Sequence, residues 1–190
     1  MKRQIRSSVF ETNSSSTHSI AIPYNCDISD NMSFRTDDFG WSFDVVDPAD
    51  YFYTAIYETS ETEAEANEKI ERLKNILDKN GVHYHFRKPK SHVSTYDNVD
   101  YFYLDDGYID HGYELRDFVD ELMNDESKLL RFLSGGLVFT GNDNSPNNGF
   151  ISRDEEFIEH YDWSIDKFYK EENPYYMENH KDYEWHYKGN

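Results

Sequence analysis

Thr62-Glu-Ala-Glu-Ala-Asn-Glu-Lys-Ile-Glu-Arg-Leu-Lys-Asn-Ile-Leu-Asp-Lys-Asn-Gly-Val-His-Tyr-His-Phe-Arg87 changes its periodicity part-way along. Up to Asn80 the apolar residues Ile70, Leu73, Ile76 and Leu77 recur at helical spacing and form a narrow stripe. Thr62 and Glu65 fit a capping box at its start, and Gly81 ends it as a C-terminal cap. From Val82 to Arg87 apolar and polar residues alternate, which reads as a strand. A well-capped helix running straight into a short strand sets the class, and the rest of the chain is read outward from it.

Before this stretch, Asp47-Pro48 begins a helix, with Asp47 as N-cap and Pro48 at the first helical position. Tyr51, Phe52, Ala55 and Ile56 follow at helical spacing. Residues 23–46 read as irregular, apart from strand-like Trp41–Val46. The first 22 residues read as strand, polar turn, strand. After the helix–strand unit comes a loop containing Pro89, then strand-like Val99–Leu104 and a hairpin-type turn signal at Asp106-Gly107. Helices are expected over about 113–123 and 126–133, the second broken by Gly135-Gly136. Leu137-Val-Phe-Thr140 reads as a short strand entering the polar loop 141–149. Helices and strands alternate irregularly and the turns suit antiparallel pairing. The expected fold is α+β, a small mixed or antiparallel sheet packed with several helices. The domain is expected over residues 1–152, with 153–190 an acidic-aromatic helix and tail.

The chain has 190 residues, enough for one domain with an extension. Its hydrophobic share is only 37%, but 16 Tyr, 13 Phe and 3 Trp supply large rings for a core. The single Cys26 excludes an intrachain disulfide and suits a reducing compartment. No apolar run approaches the ~18 residues of a membrane span, and no signal-peptide core follows the basic start. A cytoplasmic protein with no membrane partner, no metal and no cofactor is expected.

Charge is the outlier. The formal net charge is −19, from 19 basic and 38 acidic residues. Residues 1–35 carry four basic and three acidic side chains, a net of +1, so the remaining 155 carry −20. Such a field repels nucleic acid and attracts basic protein surfaces; it also confers solubility. From Arg153 onward, 11 acidic residues stand against 5 basic ones, interleaved with ten aromatics that suit either an interface or a second core layer.

The residues richest in chemistry lie between Val9-Phe10 and Ile20-Ala-Ile22. Ser14, Ser15, Ser16, Asn13 and Thr17 offer hydroxyls, an amide and backbone N–H groups to a phosphate, and Arg6 adds charge. His18 titrates near neutral pH, and Glu11 is placed to orient it or share its proton. Three readings fit this run: a self-satisfied polar turn, phosphodiester cleavage by a base, an acid and phosphate donors, and a serine nucleophile activated by His18. A second polar loop holds Asn142, Asp143 and Asn144. If the strands flanking the two loops are neighbours, both line one site. His83 and His85 alternate on one strand face, a weak metal signal better read as an exposed face. Asp105-Asp-Gly-Tyr-Ile-Asp-His111 lacks the Ca²⁺-loop pattern and reads as a turn into a helix.

Two strings carry a resemblance. Arg6-Ser-Ser-Val-Phe-Glu-Thr-Asn-Ser-Ser-Ser-Thr-His-Ser19 resembles the opening signature of a group of small proteins carried by phages and prophages of Gram-positive bacteria. Phe132-Leu-Ser-Gly-Gly-Leu-Val-Phe-Thr-Gly-Asn-Asp-Asn-Ser145 is similar to a second block of that group. Some small acidic proteins on such elements inhibit CRISPR effectors, by truncating the guide RNA or by occupying a nucleic-acid groove. The resemblance implies an anti-defence protein that engages a basic nucleic-acid-binding effector through its acidic body. On that expectation the N-terminal loop contacts the effector's RNA and acts as a metal-independent ribonuclease. The alternatives are a stand-alone hydrolase or nucleotide- or phosphate-binding enzyme using the Glu11–His18 loop, and a non-catalytic virion or regulatory protein.

Overall fold

Thr62 caps its helix as expected. In the computed structural model, which describes residues 16–40, 44–110, 112–142 and 182–188, this helix runs Glu63–Lys79 (α2). Thr62 is extended and its hydroxyl accepts the Glu65 N–H at 3.1 Å. The Glu65 carboxylate turns back to accept the N–H of Glu61 at 2.9 Å, one residue earlier than in the usual capping box. At the other end Gly81 adopts φ 70°, and the N–H groups of Val82 and Gly81 reach the carbonyls of Leu77 and Asp78 at 3.0 and 3.1 Å. This is a Schellman close, and the buried pair Val82 and Leu77 supplies its apolar contact.

The helix before it, Pro48–Glu58 (α1), begins at Asp47, whose side chain accepts the N–H groups of Ala49 and Asp50. All its residues from Ala49 to Glu58 are buried. A helix buried on every side is a core helix, and the other described helices pack on it. Asp50 ties it to the chain ahead of it by accepting both the backbone N–H and Nε of Arg35, at 2.9 and 2.6 Å. A 3₁₀ turn, Gly112–Leu115, leads into α3 (Arg116–Asn124), and α4 follows over Glu126–Gly135. Phe132 of α4 meets Phe52 and Phe118 edge-on, at centroid distances of 6.1 and 5.5 Å. After α4 the chain needs glycine at Gly136, because a Cβ there would lie 2.3 Å from the Phe132 carbonyl oxygen.

The largest sheet is antiparallel. It joins β1 (Ser16–Pro23), β4 (Asp44–Val46), β9 (Leu137–Asn142) and β10 (Tyr183–Lys188) in the order β10-β1-β9-β4. Ile20, Ile22 and Val138 are buried in the core cluster with α1 and α4. Two short parallel pairs lie elsewhere: β2 (Asn31–Phe34) with β5 (His83–Phe86), and β3 (Asp38–Phe39) with β8 (Tyr108–Ile109). The hairpin of β6 (Ser91–Tyr96) and β7 (Val99–Leu104) completes the described strands. The fold is α+β, as expected.

Three local expectations are corrected. The hairpin turn is Asp97-Asn98, both at positive φ (50° and 61°), the signature of a type I′ turn. Asp106-Gly107 instead leads into β8, and Gly107 is needed because a Cβ there would meet Thr36 at 2.6 Å. Residues 23–46 contain β2 and β3, whose partners lie some 50 to 70 residues onward in sequence and left no local signal. Tyr183–Lys188, expected within a tail, pairs along β1 as an edge strand. Residues 153–181, which hold most of the expected helix and tail, lie outside the described residues.

Candidate functional site

The polar run meets the sheet at Ser16. The expected loop is strand from that residue on: Ser16, Thr17, His18 and Ser19 all belong to β1. A run in which every residue is polar shows no alternation, and the ladder to β9 supplies the pairing instead. The register is Ser16↔Asn142, Thr17↔Gly141 and His18↔Thr140. β1 begins and β9 ends at one end of the sheet. β4 begins there with Asp44↔Thr140, and β10 finishes there with Lys188↔His18. The strands flanking the two polar stretches, β1 and β9, are therefore neighbours. Arg6, Glu11, Asn13, Ser14, Ser15, Asp143 and Asn144 lie outside the described residues.

His18 is wholly buried (0% exposed), with its Nδ1 2.7 Å from the hydroxyl of Tyr51. Tyr51 is equally buried, and burial pushes its phenol well above the ordinary tyrosine range, so the group stays neutral. Its ring lies 5.5 Å from Phe39. Next to Phe39, Gly40 takes φ 103°. A Cβ at Gly40 would stand 3.0 Å from the Cβ of Asp110 and 3.1 Å from Nε2 of His18. Glycine thus lets the chain leaving β3 pass between these two side chains. Asp110 is itself buried, accepts the Tyr108 hydroxyl at 3.1 Å and donates its N–H to the Phe39 carbonyl at 3.0 Å.

His18 and Tyr51 form a buried hydrogen-bonded pair, and Gly40 lies close to both His18 and the buried Asp110. A general base must come within about 2.6–3.2 Å of the proton it removes, directly or through one water. With its ring inside the core and Nδ1 engaged by Tyr51, His18 braces the junction of β1 with α1 in this arrangement. Sequence reasoning missed Tyr51, which matched a helical core stripe, and Asp110, which lay in a stretch read as a turn. Gly40, placed between two short apolar pieces, was the one local signal of a close approach.

The outer faces of α2 and α3 carry the exposed charge. Lys69 bridges the two helices, 3.0 Å from Glu65 and 3.9 Å from Asp120. Arg116 reaches Glu61 at 3.6 Å, and Lys79 reaches Glu126 at 2.8 Å. Glu63, Glu68 and Asp117 are exposed, and among the described residues no cation pairs with them. His83 and His85 are exposed alternate residues of β5, and no group of three or more metal-ligating side chains forms among the described residues. No described helix is long and apolar enough to cross a membrane. Comparison of the chain with protein-family models, curated proteins and solved structures finds no match.

Proposed function

We propose that this is an anti-defence protein of anti-CRISPR type, encoded on a mobile element, that engages a basic nucleic-acid-binding effector in the host cytoplasm. The observation that carries this reading is the net charge of −19, with exposed Glu63, Glu68 and Asp117 on α2 and α3 paired with no cation among the described residues. Carboxylates held on rigid helices present negative charge to a groove lined by Lys and Arg, as phosphates do. The two sequence blocks that resemble phage and prophage proteins supply the biological setting.

A second reading assigns RNA phosphodiester cleavage, or another phosphate-directed hydrolysis, to the polar sheet end. The register Ser16↔Asn142 favours it, because it sets Ser16 and Thr17 beside Asn142 and Gly141. In this reading His18, buried with Nδ1 2.7 Å from the Tyr51 hydroxyl, is the candidate base only if substrate reaches its ring.

The test is binding to a panel of guide-loaded effectors over a salt series, with free nucleic acid as competitor. Affinity should fall tenfold or more between about 50 and 200 mM salt, and nucleic acid should compete. Tight binding that ignores both would refute mimicry. A gel of the guide RNA from the same incubations decides the second reading: shortened RNA supports it, and full-length RNA in an inhibited complex removes it.

A further inference from the structure

A cleft of about 280 Å³ opens away from the sheet end, between α1, α2 and the connection from β5 to β6. Tyr53 and Tyr57 of α1 line it, as do positions 63, 67, 70 and 74 of α2, which share one helical stripe. Phe86 and the residues just after it close the third side. Pockets for drug-sized ligands run from about 300 to 1,000 Å³. This cleft falls just below that range and suits a single side chain. Resting on the reading above, that the partner is basic, we propose that the cleft receives one cationic side chain of the partner, preferentially an arginine.

The lining holds two carboxylates, Glu63 and Glu71, against two ammoniums, Lys74 and Lys88, so the charge of the rest of the chain tips the sign of the occupant. The phenols are neutral: burial raises both, though the bond from Tyr53 partly offsets the shift at Tyr57. Lys74 is already engaged, 2.6 Å from Glu71 and 5.6 Å from the centroid of Phe86. Its placement shows the wall accepting a cation over an aromatic face. Lys88 is exposed at the cleft, but so is Glu63, which has no cation partner among the described residues. An incoming anion would find one uncommitted ammonium on a chain of net charge −19, whereas a cation is drawn by Glu63 and by the field of the whole chain. Arginine fits better than lysine. Its planar guanidinium can lie against a ring and still donate to a carboxylate, while an ammonium is more strongly hydrated.

The intact chain, isotopically labelled at isoleucine methyls and tyrosine rings, should be titrated with N-acetylarginine methylamide and, separately, with inorganic phosphate. The arginine probe should shift Ile70 and Tyr57 saturably, and phosphate should not. Glu63→Gln should weaken the arginine probe roughly two- to fivefold, the range of an exposed ion pair. Lys74→Gln separates the alternatives by sign: it removes a competing cation and frees Glu71, so the arginine probe should bind more tightly. Weaker binding in Lys74→Gln, a phosphate response at Ile70, or no response to arginine would each overturn the proposal. The probe needs no effector. An arginine response from a protein that engages no nucleic-acid-binding effector would support the cleft and refute only the functional reading it rests on.

Discussion

At the residue scale, the burial of His18 changes what its substitution should do. In an exposed turn His18→Ala would be tolerated, but here it opens a cavity and strips a buried phenol of its 2.7 Å partner. Loss of a buried hydrogen bond and of a ring's packing together predict a cost of about 2–4 kcal/mol, read as a lowered denaturant midpoint at unchanged slope. Tyr51→Phe should cost less in the His18→Ala background than in the wild type, because the hydroxyl has already lost that bond. Equal costs in both backgrounds would show that the two groups do not depend on each other. A residue whose neighbours in sequence all suggest a surface site is thus buried in the core.

At the element scale, β10 is the least local part of the fold. It lies against β1 through six register pairs and is fastened to α4 by Lys128, whose ammonium is 2.5 Å from both Glu184 and Glu121. Removing residues 182–190 would strip β1 of its ladder on that side and leave Lys128 with one carboxylate. The truncated protein should therefore melt at a clearly lower temperature; an unchanged melting curve would make the strand an appendage. Burial alone would lower the Lys128 pKa, but its two carboxylates outweigh that and hold it above the ordinary lysine value. A raised folded-state pKa contributes stability that is complete below the unfolded value and lost as pH rises through the folded one. As pH rises from neutral, the fastening should thus hold until strongly alkaline solution, above about 10.4. The α2 cap makes the contrasting case: Thr62→Ala should cost about 1 kcal/mol wherever it is measured, because the bond it removes is local.

At the scale of the whole molecule, the charge of −19 acts on folding as well as on partners. Like charges held in a compact body repel, and salt screens them over about 8–10 Å at physiological strength. Raising sodium chloride from about 10 to 300 mM should therefore raise the thermal midpoint, while the same series weakens binding to a basic effector. Opposite signs in the two measurements would tie both to the same surface field. A midpoint that falls over the series would mean that the ion pairs of α2 and α3 outweigh the repulsion.

By itself the sequence determined the parts whose causes are local. The Asp47 and Thr62 caps, the Gly81 close and the helical stripe of α2 depend on residues within a turn or two, so they could be read directly. The α+β class and the acidity of the chain were equally legible. The tertiary structure alone decided that Ser16 pairs with Asn142, that β2 and β3 exist as parallel partners of β5 and β8, and that Tyr183–Lys188 returns to the sheet. It also carried His18 inside, against Tyr51 and beside Gly40 and Asp110. The physical reason is common to all of these. Strand pairing and burial depend on which distant segments come together, and short polar or two-residue strands carry too little periodicity to announce their partners.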